Sequence, residues 1–254
     1  MRILVALVFS SGCASGVGAV LTLAVGIALG GAPPWTAATL AFSGTFVIYN
    51  VDRLRDLERD RRAHPLRSQF VENHRATLRV LCGLALAAAA FSAWGLGHAA
   101  WLLCAVVVVP GLFHRRLKSS VVGKALYVAT AWVLVVVGLA AIEVSASAGG
   151  AALQWEWAAI AIAGPVFANL IASNLIEFER AAPILSRQAG LWGAALSAGT
   201  GGAVALLAAG ALSALAWVAL AELVTLAFHR SGEHYLGVLD GALLLGGALA
   251  IALA

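Results

Sequence analysis

The sequence is short of what a water-facing protein needs. Asp, Glu, Lys and Arg make up only 11% of its 254 residues, where soluble domains carry about 25%. So little charge cannot cover a soluble surface, which excludes an ordinary soluble globule. With 62% hydrophobic residues, the chain is also no disordered segment, because disorder needs low hydrophobicity and high charge. There are three cysteines, Cys13, Cys82 and Cys104. All lie inside apolar runs and none has CxxC spacing, so neither a disulfide framework nor a zinc site is expected. They read as small buried hydrophobes. Paired broken helices and an inverted repeat, the marks of many secondary transporters, are not seen.

What is present is apolar length. Mean hydropathy is +0.94, and the long runs are rich in Ala, Leu, Val and Gly, as in spanning helices rather than barrel strands. They fall near 3–30, 34–51, 77–96, 98–114, 121–143, 155–176, 188–207, 210–228 and 236–253. At ~20 residues per span, they predict an all-α, nine-helix bundle forming one membrane domain over residues 1–254. Met1-Arg2, the apolar stretch Ile3 to Phe9 and Ser10-Ser11-Gly12-Cys13 look like a lipoprotein signal. The run continues past Cys13 to Leu29, however, and no polar segment follows, so a retained first helix is expected.

Positive charge sets the expected orientation. The sixteen Lys and Arg residues are Arg2, eight arginines between 53 and 79, Arg115, Arg116, Lys118, Lys124, Arg180, Arg187 and Arg230. If all nine runs span, every one falls on the same side. The positive-inside rule makes that side cytoplasmic, with the N-terminus inside and the C-terminus outside. The expectation is a multi-pass protein of the plasma membrane, its polar face toward the cytoplasm. The sequence pI of about 9.3 then reflects topology and anionic partners such as lipid headgroups or phosphates, not nucleic acid.

The second run closes on Tyr49-Asn50-Val51-Asp52-Arg53-Leu54-Arg55-Asp56-Leu57-Glu58-Arg59-Asp60. Asp52, Asp56 and Asp60 are four residues apart, which sets three carboxylates on one helix face, each ~40° round from the last. Carboxylates one turn apart can hold Mg²⁺, which takes hard oxygen ligands and shares them with phosphates. The same spacing also suits a solvated helix end laced by Asp52–Arg55, Asp56–Arg59 and Glu58–Arg62 pairs. A second polar group, Asn169, Asn174, Glu177 and Glu179, ends the sixth run; Asn174 and Glu177 share a face. A third, His114-Arg115-Arg116-Leu117-Lys118, ends the fourth, with His114 and Lys118 one turn apart and suited to gripping an anion. Carboxylates for a metal and cations for a phosphate, at one end of an apolar bundle, suggest a lipid diphosphate site.

These segments resemble the UbiA superfamily of intramembrane prenyltransferases, as a divergent member. The family has nine membrane helices and two aspartate-rich motifs, approximately N-D-x-x-D-x-x-x-D and D-x-x-D-x-x-x-D. Tyr49 to Asp60, Arg116 to Trp132 and Phe167 to Ala182 carry the resemblance, which covers most of the chain. Here the first motif lacks the Asn-Asp pair. Asp52-x-x-x-Asp56 or Asp56-x-x-x-Asp60 matches its D-x-x-x-D, with Asp56 common to both. In the second motif Asn174 and Glu177 replace the two leading aspartates and the last is missing. The family's Tyr-x-x-x-Lys appears as His114-x-x-x-Lys118. The resemblance implies Mg²⁺ held by Asp52, Asp56, Asp60, Asn174 and Glu177, with Asp56 and Lys118 catalytic. It further implies that Arg53, His114, Arg115, Arg116 and Lys118 bind the diphosphate of an isoprenyl donor. The group would pass to a lipophilic, electron-rich acceptor, aromatic in most of the family, within the bilayer. An intramembrane terpene cyclase and a non-catalytic isoprenoid-binding protein are the alternatives.

Other polar residues have two readings. Glu222 and Asp240 lie inside the eighth and ninth runs and either bond between helices or line the acceptor cavity. His229, Glu233 and His234 read as a solvated loop. Gly26 and Gly30 form a G-x-x-x-G that signals close helix packing at most. Trp35, Trp101, Trp155 and Trp157 read as interfacial anchors.

Overall fold

The computed structural model describes residues 2–113, 121–147, 154–181, 187–208, 210–230 and 235–254, and every regular element among them is helical. In chain order these are α1 (Arg2–Phe9), α2 (Gly12–Ala28), α3 (Trp35–Arg55), α4 (Leu57–Ala63), α5 (Pro65–Asn73), α6 (Arg75–Leu96) and α7 (His98–Phe113). Then follow α8 (Val121–Val133), a π-helical turn (Leu134–Gly138), α9 (Leu139–Ser147), α10 (Trp155–Ala181) and α11 (Arg187–Ala208). A 3₁₀ turn (Gly210–Leu215) leads into α12 (Ala216–Ala227), and α13 (Leu236–Leu253) ends the chain.

Six stretches are long and apolar enough to cross a membrane: Arg75–Leu96, Leu126–Ala146, Trp155–Leu175, Arg187–Ala208, Gly210–Ala227 and Leu236–Leu253. Gly12–Ala28 and His98–Val109 are shorter apolar helices. The protein is therefore a helical, multi-pass membrane protein. Its outward face agrees: Phe91, Trp94, Trp192, Leu196 and Leu207 are all at least 70% exposed. That much uncovered apolar surface marks a face met by lipid rather than water. Trp35, Trp101, Trp155 and Trp157 are exposed as well.

The structure departs from the expected runs in three places. The first run is not one helix. It breaks at Ser10-Ser11, where Ser11 sits in the left-handed region at φ 63°, so α1 and α2 are separate elements. The segment after the second run is not one straight helix: α3 extends to Arg55, and the separate α4 and α5 carry the chain to α6. The Gly26/Gly30 pair makes no helix seam. Gly26 backs onto Pro34, and Gly30 closes its turn at φ 83°.

Helix α2 runs through the middle. Its Val17, Leu21, Ala24 and Val25 are packed with Val136, Ala140, Ile162, Val166, Leu215, Val218 and Leu243 in the largest apolar cluster. A second cluster joins α3, α6, α7 and α9 through Leu40, Ala41, Ala93, Ala100 and Leu139. A third joins α10, α11, α12 and α13 through Ala168, Ala172, Ala194, Ala198, Leu226 and Leu239.

With so many small residues, these helices approach closely, as is usual in bilayers. The α10–α11 seam is the tightest case. Pro165 inside α10 has no N–H to offer the carbonyl four residues back, that of Ala161, and Gly201 packs against that carbonyl. A β-carbon on Gly201 would lie 2.7 Å from the Ala161 oxygen and 2.8 Å from Pro165 Cδ. Ser197 Oγ adds a hydrogen bond to the Gly164 carbonyl at 3.0 Å. Gly201→Ala is expected to destabilise the protein by ~1–3 kcal/mol through overpacking. Gly83→Ala, at a helical glycine with nothing within 4 Å of the added atom, is expected to be neutral or stabilising. Thermal unfolding of the two variants in detergent checks the contrast.

Candidate functional site

The break between α1 and α2 leaves carbonyls without helical donors, and two side chains of α3 reach them. Asn50 Nδ2 donates to the Ser10 carbonyl at 2.9 Å and also to Phe46 O, one turn back in its own helix. Arg53 Nη1 donates to the Phe9 carbonyl at 2.7 Å. Neighbouring Tyr49 accepts a hydrogen bond from Trp132 Nε1 at 3.0 Å, which ties α3 to α8. The polar letters Tyr49, Asn50 and Arg53 thus face into the bundle, while Asp52 faces outward and is exposed.

From this corner a polar layer runs through the interior. Asp240 on α13 lies within electrostatic reach of Arg53, Tyr49 and Cys13. It is in reach of Glu222 on α12 as well, and Glu222 stands beside Asn169 on α10. Glu222 is wholly buried and Asn169 is 7% exposed. No partner lies at ordinary hydrogen-bond distance from the Glu222 oxygens or Asn169 Nδ2, but the two side chains are each other's hydrogen-bonding neighbours. Along α12, Glu222 falls between Val218 of the largest cluster and Leu226 of the third; along α10, Asn169 falls between Val166 and Ala172. The layer therefore has apolar packing on both sides.

One end of the bundle gathers further polar contacts. Arg187 Nη2 donates to the His229 carbonyl at 3.1 Å and lies 3.3 Å from His229 Nδ1. His229 Nε2 is 3.3 Å from the Ala172 carbonyl, and its ring meets Tyr235 edge-on. Tyr235 donates its hydroxyl to Thr225 O at 2.7 Å. His229 lies in the loop after α12, as expected, but it is half-buried and joins that loop to α10 and α11. Gly237 at the start of α13 packs on Val8 of α1, bringing this end beside the α1–α2 break.

The Asp-rich stretch lies along the α3–α4 junction. Backbone bonds continue in helical fashion, Asp56 N to Asp52 O and Asp60 N to Asp56 O, each 2.9 Å. The helix nonetheless kinks at Asp56, whose φ is −101° and ψ 16°. Past the kink, Asp60 pairs with Arg67 of α5 at 3.0 Å, both partly buried. Glu58 meets Arg61 at 3.5 Å, and Arg61 meets Glu72 at 2.7 Å. Among the described residues, α4–α5 pairing through Asp60–Arg67 and Arg61–Glu72 holds the segment down alongside the Glu58–Arg61 pair within α4. Asp52 and Asp56 stay one turn apart, while Asp60 Oδ2 is engaged by Arg67. Among the described residues no three His, Cys, Asp or Glu side chains gather as a metal-holding group.

Of the other expected site residues, Asn174 is half-buried on α10. Glu177 belongs to the same helix, but its side chain lies outside the described residues, as do His114, Arg115, Arg116 and Lys118.

The chain matches no protein-family model, no curated protein and no solved structure.

Tyr49, Asn50 and Trp132 were not singled out as site residues. Their signal was polarity at the inner end of an apolar run, where a tyrosine or asparagine must find partners. Arg53→Met and Asn50→Ala each strip a donor from a buried carbonyl. Each is expected to lower stability by ~1–3 kcal/mol, seen as a lower melting temperature in detergent without any ligand. An unchanged melting temperature for Arg53→Met would free that guanidinium for a ligand.

Proposed function

We propose that this protein is an intramembrane prenyltransferase that moves an isoprenyl group from a polyprenyl diphosphate to an electron-rich lipophilic acceptor. One observation carries the reading: an Asp-rich helix junction borders a buried polar layer inside an otherwise apolar helical bundle. The motif resemblance supplies the reaction class. In this reading nine spans cross the plasma membrane, with the Asp-rich junction on the cytoplasmic side.

The donor set fits Mg²⁺ as Asp52 and Asp56, since that ion is commonly held by one or two carboxylates together with substrate phosphates. Asp60 is tied to Arg67 and braces the junction. Bound there, Mg²⁺ would supply charge neutralisation for a diphosphate. The chain's own residues do the rest. By the motif resemblance, Lys118 with Arg115, Arg116 and His114 would offer positive charge where negative charge develops on the departing oxygen. The allylic C–O bond breaks with its electron pair on the diphosphate. The acceptor's electrons form the new bond to carbon, and the acceptor then loses a proton. The apolar walls keep water from the cation. Asn174 and Glu177 would form a weaker second half of the metal site, one neutral oxygen and one carboxylate.

A non-catalytic isoprenoid-binding protein is the second reading, favoured by the pairing of Asp60 with Arg67 and of Arg53 with the Phe9 carbonyl. A terpene cyclase would use the same site but quench the cation within its own chain. Incubating purified protein with Mg²⁺ and isoprenyl diphosphates of graded length, with and without a phenolic acceptor, separates the three. Acceptor-dependent pyrophosphate release is the expected result. Release with a cyclic hydrocarbon and no acceptor indicates the cyclase, and saturable binding without release indicates the carrier. Asp56→Ala is expected to abolish Mg²⁺-dependent turnover, whereas Asp60→Asn mainly lowers thermal stability.

Orientation has its own test. Cysteines at Ala32 and Asn73, both exposed, are expected to react with a membrane-impermeant maleimide from opposite sides of the membrane, Asn73→Cys from the cytoplasm. Reaction of both from one side would overturn the nine-span arrangement.

A further inference from the structure

Several arginines between Arg53 and Arg79 are spoken for inside the protein, and two that are not lie together on one helix. Arg53 donates to the Phe9 carbonyl, Arg61 pairs with Glu58 and Glu72, and Arg67 pairs with Asp60. Arg75 and Arg79 are exposed and have no hydrogen bond or ion pair among the described residues. They stand one turn apart at the start of α6, so their side chains are neighbours on one face. No Asp or Glu occurs anywhere in α6, and the carboxylate just before it, Glu72, is engaged by Arg61 at 2.7 Å. The two arginines adjoin an uncovered apolar surface. Val80, Leu84, Leu86, Phe91 and Trp94 of the same helix are all exposed, and α6 is one of the stretches able to cross a membrane.

We infer that Arg75 and Arg79 bind the phosphate of an anionic phospholipid whose acyl chains lie along the exposed face of α6. Height in the bilayer supports this. At 1.5 Å rise per residue, Trp94 lies ~22 Å along the helix from Arg79 and ~28 Å from Arg75, close to the ~30 Å thickness of the hydrocarbon core. With Trp94 at one interface, the guanidiniums reach the phosphate level of the opposite leaflet. Side chains on a helix also tilt toward its N-terminus, which carries both arginines away from the hydrocarbon and toward the headgroups. There, two guanidiniums with no carboxylate to neutralise them present forked donors that match phosphate oxygens. A zwitterionic lipid brings its own cation into the same space and cancels much of the attraction. A soluble phosphate matches the arginines alone; a phospholipid matches them and the apolar face together. The inference needs neither Mg²⁺ nor a diphosphate donor and is read without turnover, so it stands or falls apart from the prenyltransferase proposal.

The test is lipid selectivity. The full chain in detergent is given equimolar phosphatidylglycerol and phosphatidylcholine with identical acyl chains, and native mass spectrometry reads which lipid occupies the first bound position. The native protein is expected to favour phosphatidylglycerol by roughly fivefold or more. Arg75→Gln/Arg79→Gln is expected to lose most of that preference while keeping its melting temperature, because neither side chain bonds within the described protein. Arg55→Gln/Arg230→Gln removes the same charge from two other exposed arginines and is expected to keep the preference. Arg79→Gln alone, set against Arg230→Gln, repeats the comparison with a milder change. Equal occupancy by the two lipids on the native protein overturns the inference. So does an equal loss of preference in the two charge-matched double variants, which would mark a diffuse effect of net charge. Displacement of phosphatidylglycerol by millimolar inorganic phosphate at constant ionic strength also overturns it, since that is the behaviour of a site for soluble anions.

Discussion

In a bilayer every backbone polar group must find its partner within the protein, and this fold depends on meeting that demand where its helices are interrupted. The first apolar run breaks at Ser10-Ser11, and the Phe9 and Ser10 carbonyls left without helical donors are taken up by Arg53 and Asn50. At its other end α3 begins after Pro33-Pro34 with no local cap, and Glu143 from α9 accepts the Ala37 N–H at 2.6 Å. A carboxylate at a helix N-terminus also opposes the positive end of the helix dipole. In α10, Pro165 deprives the Ala161 carbonyl of its helical donor, and Gly201, with no β-carbon, lets α11 approach it closely. Helix α3 is thus anchored at both ends by long-range polar contacts. Its position fixes where the Asp-rich junction and the inner polar layer lie.

That arrangement divides the polar residues at the end of α3 by face. Tyr49, Asn50 and Arg53 point inward and hold helices together; Asp52 points out. The kink at Asp56 then turns the chain so that Asp60 meets Arg67 on α5. A run of alternating charge therefore does two jobs. Part of it braces the short helices against the bundle, and a pair of carboxylates, Asp52 and Asp56, remains one turn apart at the junction. The interior layer is different in kind. Glu222 on α12 and Asn169 on α10 stand side by side as a buried polar pair between apolar clusters.

Much of the helical architecture was legible in the residues. Each apolar run of the sequence carries helix, because an uninterrupted apolar stretch of that length can satisfy its backbone only as helix. The break at Ser10-Ser11 was not legible, since two small polar residues within an apolar stretch are compatible with a continuous helix. Nor were the partners of the charged segment. The spacings suggested pairs within one helix; the structure has one such pair, Glu58 with Arg61, but also joins Arg61 to Glu72 and Asp60 to Arg67 across a turn, while the Arg59 and Arg62 side chains lie outside the described residues. His229 read as a solvated loop residue; it does follow the end of α12, but its ring is engaged by Arg187 and the Ala172 carbonyl.

The sequence by itself determined that this chain is a helical membrane protein, and it located the polar segments that interrupt the apolar runs. Both follow from local composition, since a low-dielectric surround admits few charges wherever they fall in the chain. Only the tertiary structure decided which polar groups serve the fold and which stand unmatched. Whether Arg53 caps a broken helix or Glu222 stands beside an amide depends on residues more than forty positions away, Phe9 for the one and Asn169 for the other. Burial and hydrogen bonding are properties of neighbours in space, and only packing brings those neighbours together.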